Sequence, residues 1–416
     1  MSVITLFSGS YCQGEYVAQK IVDTLGCKLI DDDALITEAA RRLGVEEGKL
    51  HRALTAKASV FNRFTHEKER SLAYLKVVLA ELLQQDNMLL VGFAGHMIPR
   101  DVTHVLKVCT IADIAYRAGA AAKKEGLSEK DAIKKIHKDD ESRVLWVEYL
   151  FKERDPWSPA LYDMVIPMDK NDADSAAEII TVNIRKDVLK VTDASRKAVN
   201  DFLLASQVNL KLAEAGHDVS VFAEDGTVMV TINKHVLMLS SLEDELKRIA
   251  GSVPGVKDVK TQVGAGFYKS DIYRRYDFDL SLPSKVLLVD DEREFVQTLS
   301  ERLQMRDLGS AVAYGGAEAL SVVEEDEPEV MVLDLKMPGI DGVEVLRRVK
   351  TEHPDVEVIV LTGHGSAEVE KLCTELGACA YLEKPVDIET LTRKMQEAYG
   401  KIKQKRTLGG GGEGKK

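Results

Sequence analysis

Between Lys285 and Gly400 five short apolar runs alternate with helical patterns, and this alternation constrains the fold more than any other feature. The runs are Lys285–Val289, Ser310–Tyr314, Val330–Leu333, Val356–Leu361 and Ala380–Leu382. Between and after them the apolar residues recur at helical spacing. Phe295, Leu299 and Leu303 share one face, and Ile388, Leu391 and Met395 share another. Five strand-plus-helix units in about 115 residues predict a doubly wound parallel sheet. In such a sheet the functional groups gather where the strands end at their carboxyl side. Asp290 and Asp291 end the first run, Asp334 the third and Thr362 the fourth, and Lys384 follows the fifth.

That set has a coherent chemistry. Three crowded carboxylates repel one another and force some to hold protons. A hard divalent cation removes the conflict, and Mg²⁺ suits one or two carboxylates completed by water and phosphate oxygens. Asp334 is then placed as a nucleophile toward phosphorus, with Lys384 neutralising the transferring oxygens and Thr362 donating a hydrogen bond to one of them. The segment resembles the response regulator receiver family, with its flavodoxin-like (βα)5 fold, over nearly all of Lys285–Gly400. The resemblance rests on Val289-Asp-Asp-Glu292, Asp334-Leu-Lys-Met-Pro-Gly-Ile-Asp-Gly342, Leu361-Thr-Gly-His-Gly365 and Glu383-Lys-Pro385, with Gly315-Gly-Ala-Glu-Ala-Leu320 as a weaker match. It implies that Asp334 is the phosphoacceptor. Asp290, Asp291 and the main-chain carbonyl of Lys336 would complete the Mg²⁺ ligands around Asp334. It further implies Thr362 and Tyr381 as a switch pair, Lys384 as the family lysine, a sensor histidine kinase as phosphodonor, and a homodimer formed through the receiver. His364, between two glycines, reads as a loop residue rather than a ligand.

Composition narrows the rest. The 416 residues carry a formal charge of −12, which excludes an overall basic footprint for nucleic acid. Lys285–Gly400 holds 25 acidic against 12 basic side chains, so the acidity is concentrated there. Five cysteines at 12, 27, 109, 373 and 379 form no C-x-x-C pair, against a disulfide framework or a thiolate zinc site. No apolar run approaches the ~20 residues of a transmembrane helix, and MSVITLFSG lacks the features of a secretory signal, so a cytoplasmic protein is expected. The residues after the receiver are too few for a DNA-binding module, so none is expected there. The glycine-rich end, 403–416, reads as a flexible tail.

The first 190 residues alternate strands and helices as well, with strands expected at Val3–Phe7, Lys28–Ile30, Met88–Val91, Val105–Ile111 and Met164–Ile166. A parallel α/β sheet follows. The stretch Gly9-Ser-Tyr-Cys-Gln-Gly14-Glu15-Tyr16 keeps the glycine spacing of a P-loop, but Glu15 replaces its lysine and Tyr16 its Ser/Thr. A carboxylate there repels phosphate. The segment nevertheless resembles the cytidylate-kinase-like family over about residues 1–185. The resemblance rests on Leu29-Ile-Asp-Asp-Asp-Ala-Leu35, Leu90-Val-Gly-Phe-Ala-Gly95 with Arg100, Arg117, Lys130–Arg143 and Leu161-Tyr-Asp-Met-Val-Ile166. Phe93 stands where the family commonly has arginine. The resemblance implies Gly9, Ser10 and Gly14 around phosphates, Arg117 and Arg143 neutralising them, Asp31–Asp33 facing an acceptor nucleotide, and ATP or CMP as ligands.

Residues 191–283 read as a helix, two strands about Glu224-Asp-Gly226, a second helix and a last strand near Val259–Val263, a small α+β unit. On Val219–Phe222, Glu224-Asp-Gly226, Val228–Ile232 and Ser252-Val-Pro-Gly-Val256, residues 193–265 resemble a BON-type domain, although Asn233-Lys234 replaces the glycine usual after the second strand. Tyr268, Tyr273, Arg274, Arg275 and Tyr276 form a basic-aromatic stretch that reads as interdomain linker before the receiver at 284–402. Two functional readings follow. One is a phosphorelay response regulator exchanging signal with a divergent kinase-like domain. The other is an active nucleoside monophosphate kinase regulated by the receiver.

Overall fold

The computed structural model describes residues 3–55, 58–234, 239–264, 267, 282–306, 308–363 and 366–409. The Tyr268–Tyr276 stretch, His364 and residues 410–416 lie outside the described residues. The chain divides into two compact units, Met1–Ala58 with Glu67–Arg274, and Ser59–His66 with Arg275–Lys416.

The first unit opens with strands β1 (Val3–Ser8), β2 (Lys28–Asp31), β3 (Met88–Val91), β4 (Val105–Ile111) and β5 (Met164–Pro167). They pair in the order β2-β3-β1-β4-β5, all parallel. The central strand β1 is buried along almost its whole length because helices cover both sheet faces. The same unit holds a second sheet of β6 (Ser220–Glu224), β7 (Thr227–Ile232) and β8 (Asp258–Val263). Here β6 and β7 form the antiparallel hairpin that Asp225-Gly226 predicts, both residues having positive φ, and β8 joins β7 in parallel. The helix Asp193–Glu214 ties the two cores together. Ala198, Val199 and Phe202 enter the core of the large sheet, while Val208 and Leu212 enter that of the small one.

The second unit is the doubly wound sheet the alternation predicts. Its strands are β9 (Val286–Val289), β10 (Ser310–Ala313), β11 (Val330–Leu333), β12 (Glu357–Thr362) and β13 (Ala380–Glu383), in the order β10-β9-β11-β12-β13, all parallel. The four residues each of β9 and β11 are all buried, which is why these runs are apolar without alternation. The last helix, Ile388–Gly409, continues seven residues past the boundary at 402, into the segment read as tail. Ser59–His66 is the unexpected part of this unit. Its Phe61 is fully buried in one core cluster with Leu287, Val289, Ala311 and Ala313. No helix among the described residues is long and apolar enough to cross a membrane.

Candidate phosphoacceptor site

Strand order alone brings the carboxyl ends of β9 and β11 side by side, with Leu333 in register with Val289. The next residues, Asp290 and Asp334, are 3% and 6% exposed, and Asp291 is the exposed third member. One carboxylate oxygen from each lies within 4.8 Å of the others, and these three form the one such acidic group found among the described residues. Lys384, just beyond β13, reaches into it. Its Nζ donates to Asp290 Oδ2 at 2.6 Å and lies 3.7 Å from Asp334 Oδ1 and 3.4 Å from Glu292 Oε1.

The electrostatics follow from this packing. Burial raises the Asp290 pKa, opposed by the Lys384 hydrogen bond and by the Glu292 N–H donated to Asp290 Oδ1. Burial pulls the Lys384 amine down, but the hydrogen bond and charge of Asp290, then Asp334, outweigh it and leave the net shift upward. Three carboxylates against one ammonium leave two negative charges in surplus. A divalent cation matches that surplus, and oxygen donors at this spacing fit a hard ion.

The remaining residues named from the sequence stand around this cluster. Thr362 ends β12, is fully buried, and its carbonyl accepts the Lys384 N–H at 2.9 Å, fixing the main chain that carries the lysine. Tyr381 lies on β13 with its ring against the core cluster that contains Val358 and Val360. Its hydroxyl is buried with no hydrogen-bond partner, and burial raises its pKa. Lys336 lies two residues beyond Asp334 with an exposed side chain.

The residues expected at a nucleotide site come together around the Gly9–Gly14 loop, after β1, but they are occupied with one another. Arg117 is 4% exposed. It donates Nε to the Ser10 carbonyl at 2.9 Å and both terminal nitrogens to Asp140, at 2.7 and 2.8 Å. Arg143 donates Nε to the Ser8 carbonyl at 3.0 Å and Nη1 to the Asp139 carbonyl at 2.9 Å. Arg117 thus grips a loop carbonyl and Arg143 the last carbonyl of β1, and Asp140 cancels the charge of Arg117. Tyr11 and Gln13 hold left-handed conformations, and Glu15 is paired with Lys124 at 3.6 Å. Of the three acceptor-site aspartates, Asp31 caps the helix Asp32–Leu43 through Ala34 N–H, and Asp32 accepts from Phe93 and Ala94 N–H at 2.7 and 3.0 Å. Burial raises Asp32 to about 6 against those two hydrogen bonds. Asp140 was not singled out in the sequence, and its spacing of three from Arg143 on one helix is the only local signal it offers.

An acidic triad and a lysine thus gather at the carboxyl edge of a five-stranded doubly wound sheet. Residues 286–396 match the family model described as response regulator receiver domain. Sporulation initiation phosphotransferase F of Bacillus subtilis (strain 168) is 34% identical over 107 residues, which is 26% of this chain and 86% of that protein. Response regulator MprA of Mycolicibacterium vanbaalenii is 34% identical over 115 residues, 28% of this chain and 50% of that protein, so the chain spans only half of that relative. A solved response regulator receiver domain protein from Clostridium thermocellum is 32% identical, covers 29% of this chain and 97% of its own, and gives a TM-score of 0.28. The chain belongs to the response regulator family and is a two-component response regulator. Residues 3–170 match a second model, described as cytidylate kinase-like family.

Proposed function

We propose that Asp334 accepts a phosphoryl group from a sensor histidine kinase or a small phosphodonor. A carboxylate oxygen of Asp334 attacks phosphorus, and the bond from phosphorus to the donor breaks with its electron pair leaving on the donor. An acyl phosphate remains on the chain. The observation that carries this reading is the clustering of the Asp290, Asp291 and Asp334 oxygens beside the Lys384 ammonium. Asp290, Asp291 and Asp334, with the Lys336 carbonyl, would hold Mg²⁺, which supplies charge neutralisation for the phosphoryl oxygens when bound. Lys384 holds the buried Asp290 ionised and stands ready for a phosphoryl oxygen on Asp334. Thr362 and Tyr381 form the switch: a hydroxyl drawn toward the phosphoryl group frees space that the Tyr381 ring fills. The face around β13 and its flanking helices is then the surface for homodimer formation. The reading places the chain in the cytoplasm, with the phosphodonor.

The kinase-like domain is proposed as the signalling partner of the receiver and not as an efficient phosphotransferase. Glu15 in the lysine position and the neutralised Arg117 support this. In this reading ATP or CMP would be a bound ligand at the Gly9–Gly14 loop and not a substrate turned over there. The helix–strand–strand–helix–strand order at Asp193–Val263 supports the BON-like reading of the middle module, as a connector.

The test is labelling with acetyl phosphate and Mg²⁺. Wild type takes up hydroxylamine-labile label and Asp334→Asn takes up none. Labile label persisting in the variant refutes the assignment. Nucleotide turnover comparable to an active kinase, changed by beryllofluoride, would instead establish the regulated-enzyme reading.

A further inference from the structure

A cavity of about 450 Å³ opens at the amino ends of β4 and β5. All strands of that sheet run parallel, so it lies at the opposite sheet edge from the Gly9–Gly14 loop, which follows the carboxyl end of β1. Lys107 is the most buried of its cations, and Arg100 and Lys186 are exposed at its margin. Lys107 Nζ donates to the Ile98 carbonyl at 2.7 Å, and Arg100 donates to the Ala160 carbonyl. Neither these two nor Lys186 has a carboxylate oxygen within 4.0 Å among the described residues. The one acid in the lining, Asp163, accepts the main-chain N–H of Lys107 at 2.8 Å, and it and, more weakly, Asp101 act on the amine only through charge at a distance. Burial, then Arg100, brings the Lys107 amine down to about 8.

A half-buried cation whose counter-ions are only distant is costly to keep, and three cations against one lining acid, around a space with apolar walls, suit a ligand that brings further negative charge. The walls are Val105, Leu161 and Met164, with Val188 at the mouth. The volume falls in the range of small-molecule sites, ~300–1,000 Å³. We propose that this cavity binds an amphipathic organic anion, its carboxylate or phosphate head on Lys107 and Arg100 and its apolar body against β4 and β5. The site is separate from both the receiver triad and the Gly9–Gly14 loop. It gives the amino-terminal unit a small-molecule input of its own.

The probe is 8-anilinonaphthalene-1-sulfonate titrated into the full chain, followed by fluorescence. One saturable site is expected, with Kd raised at least fivefold by Lys107→Met and by Arg100→Gln and unchanged by Lys49→Met, whose lysine pairs with Glu46 elsewhere. Arg100 is exposed, so its variant reports even where Lys107→Met alters packing. Displacement by decanoate assigns a carboxylate head, and displacement by hexyl phosphate a phosphate head. Absence of a saturable site, wild-type affinity in both variants, or a probe that neither competitor moves would overturn the proposal.

Discussion

His96 shows how one buried side chain writes a pH dependence into the first unit. It is 7% exposed, and its pKa falls to about 4, first through burial and then through the nearby Lys107 charge, against a backbone hydrogen bond at Phe93. The tautomer follows from its neighbour. The Tyr162 hydroxyl gives its single proton to the Pro156 carbonyl, so at 3.1 Å from His96 it accepts from Nε2–H. Nδ1 is left bare, buried and without a hydrogen-bond partner, and only the Phe93 backbone favours the protonated ring, too weakly to offset burial. A histidine whose folded pKa lies below its unfolded value stabilises the fold above the unfolded value, near 6.5, and loses that contribution as the pH drops toward 4. Between pH 7.5 and pH 5 this loss is about 2 kcal/mol. Urea titrations followed by the fluorescence of Trp146 and Trp157 will show wild type losing that much more stability on acidification than His96→Gln. Parallel pH profiles for the two proteins would remove His96 as the cause.

Among the elements, the turn between β11 and the helix Gly342–Glu352 fixes where Asp334, the proposed phosphoacceptor, sits. Asp341 caps that helix by accepting from Glu344 N–H at 2.8 Å, and Gly342 N–H returns to the Leu335 carbonyl at 2.9 Å. A Cβ at Gly342 would stand 2.1 Å from the Asp334 carbonyl oxygen and 2.6 Å from Leu335 Cα. Both are backbone atoms, so Gly342→Ala must push the chain that carries Asp334. The expected cost is about 2–3 kcal/mol, together with slower labelling by acetyl phosphate. Gly119, in the exposed interior of the helix Ile114–Glu125, has nothing within 4 Å of its Cβ position, so Gly119→Ala should stabilise by up to ~1 kcal/mol. Two Gly→Ala changes of opposite sign in denaturant titrations check the argument, and equal signs contradict it. The glycine at 342 was legible as part of a motif, its steric reason only from the fold. The same division holds elsewhere. The strands of both parallel sheets were readable because buried strands are short apolar runs, and the acidic cluster because a doubly wound sheet brings strand ends together. The pairing of Arg117 with Asp140 was not, since it joins two helices 23 residues apart. The helical course past residue 402 was hidden by a glycine-rich composition that favours coil.

At the scale of the molecule, the second unit takes Ser59–His66 from within the sequence of the first, so the compact unit that holds the receiver is not one continuous stretch of chain. Val60-Phe61-Asn62-Arg63-Phe64 has no helical or alternating period that would announce such a segment. Its contacts are those of an edge cover. Arg63 donates to the carbonyl of Ser310, the first residue of the edge strand β10, at 3.4 Å. The Phe64 ring lies 2.4 Å from where a Cβ on Gly309 would be, a closeness only glycine permits there. Phe61, fully buried, shares its cluster with residues of β9 and β10. An exposed edge strand invites pairing with other chains, and a covering segment removes that hazard. A receiver excised at Arg275 lacks this aromatic anchor, and truncating a buried phenylalanine typically costs about 3–5 kcal/mol. Hydrogen exchange of peptides from β9 and β10 measures the consequence. In the full chain, Phe61→Ala should speed their exchange by at least tenfold. In the excised fragment 275–409, adding a synthetic 58–67 peptide should slow it, while the same peptide with alanine at 61 should not. Identical protection in the fragment with and without the peptide would mean that the receiver closes its own edge and that Ser59–His66 merely lies beside it.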